Sequence, residues 1–209
     1  DSVMLERILP DPLGKQQAGI YAQAFRLLDA VSMFGALVAG LLLPMFSGMI
    51  KRKEALGSMI QLAFVLLFVP AVVIAVSTLF YSRDIMELLY HSHIDDSVNM
   101  LVLLMTGYPG IAMTYVFGTL LTANGSLKQL NIMAFFGMVL NVALNLILIP
   151  VLYGKGSAIA AMLTQLTTGI AQLWMSVLLF RIKFSYPFVF KLALFTGLVI
   201  LAAYLSRMM

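Results

Sequence analysis

Charge is scarce in this chain. Only 11% of its 209 residues are Asp, Glu, Lys or Arg, where a soluble domain carries about 25%. A water-facing surface of ordinary size cannot be built from so few. Cysteine is absent, which excludes disulfides and thiol chemistry and leaves the chain indifferent to redox compartment. The two histidines, His91 and His93, stand beside Asp95 and Asp96, but without a further His or Cys they read as a solvated turn, not a metal site. A Gly-rich phosphate loop, a nucleophile elbow and paired carboxylates on one helical face are all missing. No catalytic reading has residues to stand on, so the chain is expected to be no enzyme and to need no cofactor. Short repeats and low-complexity tracts are missing too. The opening Asp1–Gln17 is mixed polar and apolar and lacks the basic start and short apolar core of a signal peptide. The chain begins on Asp1, and its last apolar block stops four residues before Met209. The expectation is a fragment of a longer protein whose preceding helices are missing.

What is present is long apolar sequence. The composition is 62% hydrophobic and the mean hydropathy is +1.00. Six blocks, at 30–50, 57–80, 98–122, 130–152, 157–180 and 189–205, run without a charge apart from Lys191. A hydrocarbon core about 30 Å thick takes roughly 20 helical residues to cross, and only helices or closed barrels satisfy their backbone groups inside it. Barrel strands alternate apolar and polar residues, whereas Leu62–Leu79 is apolar on every face. The fold class expected is therefore all-α: a polytopic transmembrane helical bundle of about six membrane-spanning helices.

The charges between the blocks fall into two sets. One holds Lys51, Arg52, Lys53, Lys128, Arg181, Lys183 and Lys191 against Glu54 alone. The other holds Arg83, Lys155 and Arg207 against Asp84, Glu87, Asp95 and Asp96. Cytoplasmic loops carry the Lys/Arg excess, so the first set is expected inside and the first span runs inward. The net charge of +4 is spread over these loops and forms no contiguous patch, so no nucleic-acid partner is expected. Tyr81, Tyr90, Tyr108, Tyr153, Tyr186 and Tyr204 stand near span ends as an aromatic belt does. Pro44 and Pro70 fall inside spans and predict kinks, whereas Pro109 and Pro150 are expected to mark helix ends. Asn124-Gly125-Ser126 reads as a turn.

Polar groups inside a membrane call for a reason. Arg26 and Asp29, at i and i+3, share a helical face and can pair. If their helix begins near Gln17 they face a cavity in the outer half of the bilayer. If it begins at Ala30 they sit in the interface. Polar stripes recur at helical spacing in three blocks: Tyr108, Tyr115, Thr119 and Thr122; Gly137, Asn141 and Asn145; and Ser157, Ala161, Thr164, Gln165, Thr168, Gln172 and Ser176. Such stripes line a hydrophilic cavity or form small-residue packing seams, and the sequence leaves both open.

A resemblance narrows the choice. Gly19, Tyr21, Ala24, Arg26 and Leu27, followed by Pro44 and Ser47, resemble the G-x-Y-x-x-A-x-R-L to P-x-x-S helix of polysaccharide flippases. Asn141, Leu144, Asn145, Leu148, Ile149, Pro150, Gly154 and Ala160 are similar to that group's N-x-x-L-N-x-x-L-I-P signature and the glycine-rich stretch after it, with Ser157-Ala158-Ile159-Ala160 a mild departure. The resemblance implies the C-terminal half of a member of the multidrug/oligosaccharidyl-lipid/polysaccharide exporter superfamily, one of two bundles around a central cavity. Residues 1–180 would form that bundle, the first of them ending a preceding helix, and 181–209 would add a further helix. The implied function is flipping of a lipid-linked oligosaccharide, a polyprenyl-pyrophosphate glycan, across the inner (plasma) membrane, with membrane lipid and the missing N-terminal half as partners. Arg26 would bind pyrophosphate, Asp29 would supply its counter-charge, and Tyr115, Thr119, Asn141, Thr164, Gln165, Thr168 and Gln172 would line the cavity. A drug or organic-cation antiporter of the same superfamily is the alternative, and an integral-membrane glycosyl- or acyltransferase a more distant one.

Overall fold

The computed structural model describes residues 1–182 and 186–208, and among them every regular element is helical. These are α1 (Ser2–Ile8), α2 (Leu13–Lys51), α3 (Gly57–Leu89), α4 (Ile94–Ala123), α5 (Leu127–Phe180) and α6 (Tyr186–Met208). All except α1 are long and apolar enough to cross a membrane. The backbone of such apolar runs finds its hydrogen bonds only within the helix when lipid surrounds it. At 1.5 Å per residue, the 39 residues of α2 extend about 58 Å, well beyond a 30 Å core, so the helix carries its polar first turns outside.

The 54-residue α5 is two crossings folded at Tyr153. That residue has φ 53° and ψ −133°, on the side of φ where a side chain is strained by about 1–3 kcal/mol. The limbs 127–152 and 154–180 return against each other. A Cβ on Gly156 would run into the Leu148 carbonyl, and one on Gly137 would stand 3.0 Å from the Thr168 hydroxyl. Pro150 stands three residues before the fold, near a helix end as expected. With α5 counted as a hairpin, the described residues contain six apolar limbs long enough to cross a membrane, and the all-α polytopic bundle is the architecture observed.

Pro109 departs from expectation. It does not end a helix: α4 runs through it, and Thr114–Gly118 forms a single π turn one turn later. Proline cannot donate to the carbonyl four residues back, here that of Met105, and a membrane helix continues through such a break where neighbouring helices pack around it.

The two charge sets stand at opposite ends of the bundle. Arg83 pairs with Asp95, Lys155 with Asp96 and Arg207 with Asp84, which gathers the mixed set at one end. Glu54 and Arg181 line one cavity at the other end, beside Arg52. Lys183 lies outside the described residues. Between the ends α4 is the central helix, packed on α2, α3 and α5, whereas among the described residues α6 leans only on α3. The Asn124–Ser126 turn is closed by the Asn124 amide donating to the Ser126 hydroxyl at 2.9 Å, with Gly125 at φ +75°.

Candidate functional site

The middle third of α2 holds Arg26 and Asp29. The helix starts at Leu13, seventeen residues before Ala30, so both charges lie within it. Its buried face is Ala18, Tyr21, Ala24, Leu28 and Gly35. Arg26 and Asp29 stand on the other side and are exposed. Their depth follows from neighbouring bonds. Ser97, at the start of α4, donates to Gln23 at 2.9 Å, and Tyr108 donates to the Val31 carbonyl at 2.9 Å. Arg26 and Asp29 sit between these levels, beneath the polar end of the bundle. They make no ion pair with each other or with any described residue. The expected internal pairing is therefore not formed, and all five guanidinium donors of Arg26 remain available.

Tyr115 belongs to the same side. Its ring covers Gly35, where a Cβ would meet Cδ2 at 2.5 Å, and it lies within electrostatic reach of Asp29. Below it, Thr119 and Thr122 face Ala39, Gly40 and Leu43 across a cleft of about 240 Å³. Arg26, Asp29, Tyr115 and Thr119 thus form one strip along the α2–α4 seam, open toward the outside of this bundle.

The polar stripe of the 154–180 limb goes elsewhere. It closes on three glycines of α4, with backbone against Gly107 (Met162) and Gly110 (Gln165 and Gly169) and with the Gln172 side chain against Gly118. Gln172 is 7% exposed and Ser176 is wholly buried, and the Gln172 Oε1 and Thr164 hydroxyl are buried without hydrogen-bond partners. Gln172, expected on a cavity wall, is enclosed in helix contact, because glycines on α4 let the two backbones approach and leave a wide side chain no exit. Thr164, Gln165 and Thr168 are half-buried in the same region, Thr168 facing Gly137 across a small apolar cleft.

Asn141 enters a network that the sequence reading did not foresee. Asn145, fully buried, directs its amide nitrogen at the Asn141 carbonyl (2.9 Å), the Asn141 Oδ1 (3.1 Å) and the Asp1 carboxylate (3.0 Å). Tyr21 donates to the other Asp1 oxygen at 3.0 Å. Ser157 is buried beside Tyr21, and its hydroxyl and Asn145 Oδ1 complete no hydrogen bond. A carboxylate, two amides and two hydroxyls therefore meet where α1, α2 and both limbs of α5 converge. The available signal was the i, i+4 pair Asn141/Asn145, whose amides face one side of a helix.

The hairpin tip is bound to α2 as well: the Gly154 N–H donates to Gln17 at 3.1 Å. A Cβ on Gly154 would press on Met100. The glycines of the resemblance thus occupy places where backbone meets side chain. In the first turn of α4, Asp95 and Asp96 are taken up by Arg83 and Lys155, and in the loop before it the His93 ring stands 3.3 Å from the Gln16 amide.

Six apolar limbs with a charged, open strip on one side and a polar network within are the build of a multi-pass membrane protein. The MatE family model matches residues 18–147, from the start of α2 into the first limb of α5. The chain belongs to the MatE family, whose members are membrane transporters of the multidrug and polysaccharide exporter superfamily and not enzymes. A comparison with curated proteins gives no match.

Proposed function

We propose that this chain is one bundle of a flippase that moves a polyprenyl-pyrophosphate oligosaccharide to the outer leaflet of the plasma membrane by alternating access. The observation that carries the reading is Arg26, exposed and unpaired on the open face of a largely apolar helix. A charge held there is costly unless it faces polar surroundings. A guanidinium fork matches the oxygens of a phosphate in bidentate fashion. In this reading a second, preceding bundle faces the α2–α4 strip, Arg26 takes the pyrophosphate, Asp29 balances it, and Tyr115 and Thr119 meet sugar hydroxyls. The basic end of the bundle is the cytoplasmic one. The Asp1–Tyr21–Asn145 network offers oxygen ligands around one carboxylate, suited to a coupling proton or small cation. Thr164, Gln165, Thr168 and Gln172 are assigned to packing.

Asp29 is exposed and unpaired as well, which favours a second reading, an organic-cation antiporter of the same superfamily. The two separate by substitution in the full-length protein. In the flippase, Arg26→Ala abolishes display of surface polysaccharide at unchanged protein level, and Arg26→Lys restores part of it. Wild-type display by Arg26→Ala would overturn the assignment. Loss of cation extrusion in Asp29→Asn, with Arg26→Ala indifferent, would establish the antiporter instead.

A further inference from the structure

Two hollows follow one another along the seam between α3 and α6. At the basic end, a cavity of about 540 Å³ is lined by Gly57, Ile60, Gln61, Phe180, Arg181 and Phe188. Deeper along the same helices, a groove of about 690 Å³ is lined by Phe68, Val72, Val76, Val189, Leu192 and Ile200 among others. The Phe64 and Phe188 rings, 6.2 Å apart, stand between the two.

The groove arises from how α6 is held. At one end Phe188 meets Phe64. At the other, Arg207 donates to Asp84 and to the Phe80 carbonyl and stands over the Tyr81 ring, and Tyr81 donates to Ser206. α6 therefore runs parallel to α3, tied at both ends, with none of its residues buried. The polar atoms along the groove are turned away from it: Thr106 and Thr196 donate to Val102 and Leu192 of their own helices at 2.8 and 2.9 Å. Its wall is methyl and methylene surface, and inside a bilayer such a gap is filled by an apolar chain.

The cavity at the basic end has the opposite character. Glu54 is already bonded by Arg52, Nε to Oε1 at 2.5 Å, and this hydrogen bond holds its carboxyl below the ordinary carboxylate range. Arg181 ends α5 in a left-handed conformation (φ 50°, ψ 42°), is exposed, and pairs with no carboxylate among the described residues. Lys51, Lys53 and Lys191 are exposed in the segments flanking it. Basic pockets between membrane helices hold anionic lipid headgroups.

We propose that the α3–α6 seam binds one anionic phospholipid, its phosphate at Arg181 and an acyl chain in the groove. The inference is independent of the cargo proposed above. A soluble phosphate would meet the charge and leave the groove empty, whereas a zwitterionic lipid would fill the groove and leave Arg181 with a weaker partner.

The test uses the purified full-length protein in detergent with added POPG, POPC or inorganic pyrophosphate, read by native mass spectrometry and by Tm. The expected result is preferential retention of one POPG and a Tm rise of about 3–6 °C that POPC does not match. Arg181→Asn keeps the left-handed backbone tolerable and should weaken POPG retention about fivefold, the effect of one basic residue near a lipid surface. Gly197→Phe projects into the groove, since nothing lies within 4 Å of a Cβ there, and should abolish the preference while leaving Tm in POPC unchanged. Equal retention of POPG and POPC overturns the proposal, as does a POPG preference that survives both substitutions. A pyrophosphate effect equal to that of POPG and indifferent to Gly197→Phe overturns it in favour of a simple anion site.

Discussion

Two helices of this bundle, α4 and α6, make opposite use of apolar sequence. By mean hydropathy α6 is the more apolar, yet none of its residues is buried, whereas well over half of the apolar stretch of α4 is. In water the order would be reversed. In lipid, burying a leucine against another helix gains little, because the acyl chains are as apolar as the helix. What decides burial is close approach, and α4 carries Gly107, Gly110 and Gly118, each with a backbone or side chain of the 154–180 limb against it. α6 has one glycine, Gly197, facing open space. The comparison teaches that small residues, not hydropathy, mark the core here.

The comparison is broken most severely at Gly110, where a Cβ would stand 2.5 Å from the Gln165 carbonyl oxygen. Gly110→Ala should cost about 2–3 kcal/mol through overpacking, read as a lowered Tm of the purified protein. Gly197→Ala should leave Tm unchanged. Equal effects at the two positions would mean that α4 is not the core helix. A smaller effect is expected at the far tie of α6. Arg207→Ala removes a partly exposed ion pair worth about 0.5 kcal/mol, so hydrogen exchange should rise in α6 and in the last turns of α3 while α4 stays protected. The smallest effect sharpens the contrast. The Gln172 oxygen is buried without a partner, so Gln172→Leu, an apolar side chain of similar size, should change stability by less than about 1 kcal/mol and leave transport intact. Loss of transport at normal stability would return Gln172 to the cargo path.

Much of this organisation is legible in the residues. The apolar blocks 130–152 and 157–180 meet around Tyr153, where the chain folds back. The charge sets predict which loops share an end, and the ion pairs Arg83–Asp95, Lys155–Asp96 and Arg207–Asp84 bring one set together. Arg26 and Asp29 share a face as their spacing requires. Their pairing was not decided by spacing, since i, i+3 permits an ion pair without imposing one. The stripes were ambiguous for a physical reason: a threonine or glutamine facing a neighbouring helix and one facing water have the same period. Pro109 misled because a proline inside a membrane helix need not end it where neighbouring helices pack around the break. The Asp1 network was invisible because it joins residues far apart in the sequence, Asp1 and Asn145.

The sequence by itself determined that the chain crosses lipid repeatedly, since the scarcity of charge and the length of the apolar blocks allow no other solvent for them. It determined the partition of the charged loops as well, because loop charge depends only on local composition. The tertiary structure alone decided which polar stripe is enclosed and which is open, where the Asp1 carboxylate finds its partners, and that α6 stands off the bundle with a groove behind it. Each of these depends on how closely two backbones distant in sequence approach. Glycines permit that approach, but only the packed arrangement of all the helices selects it.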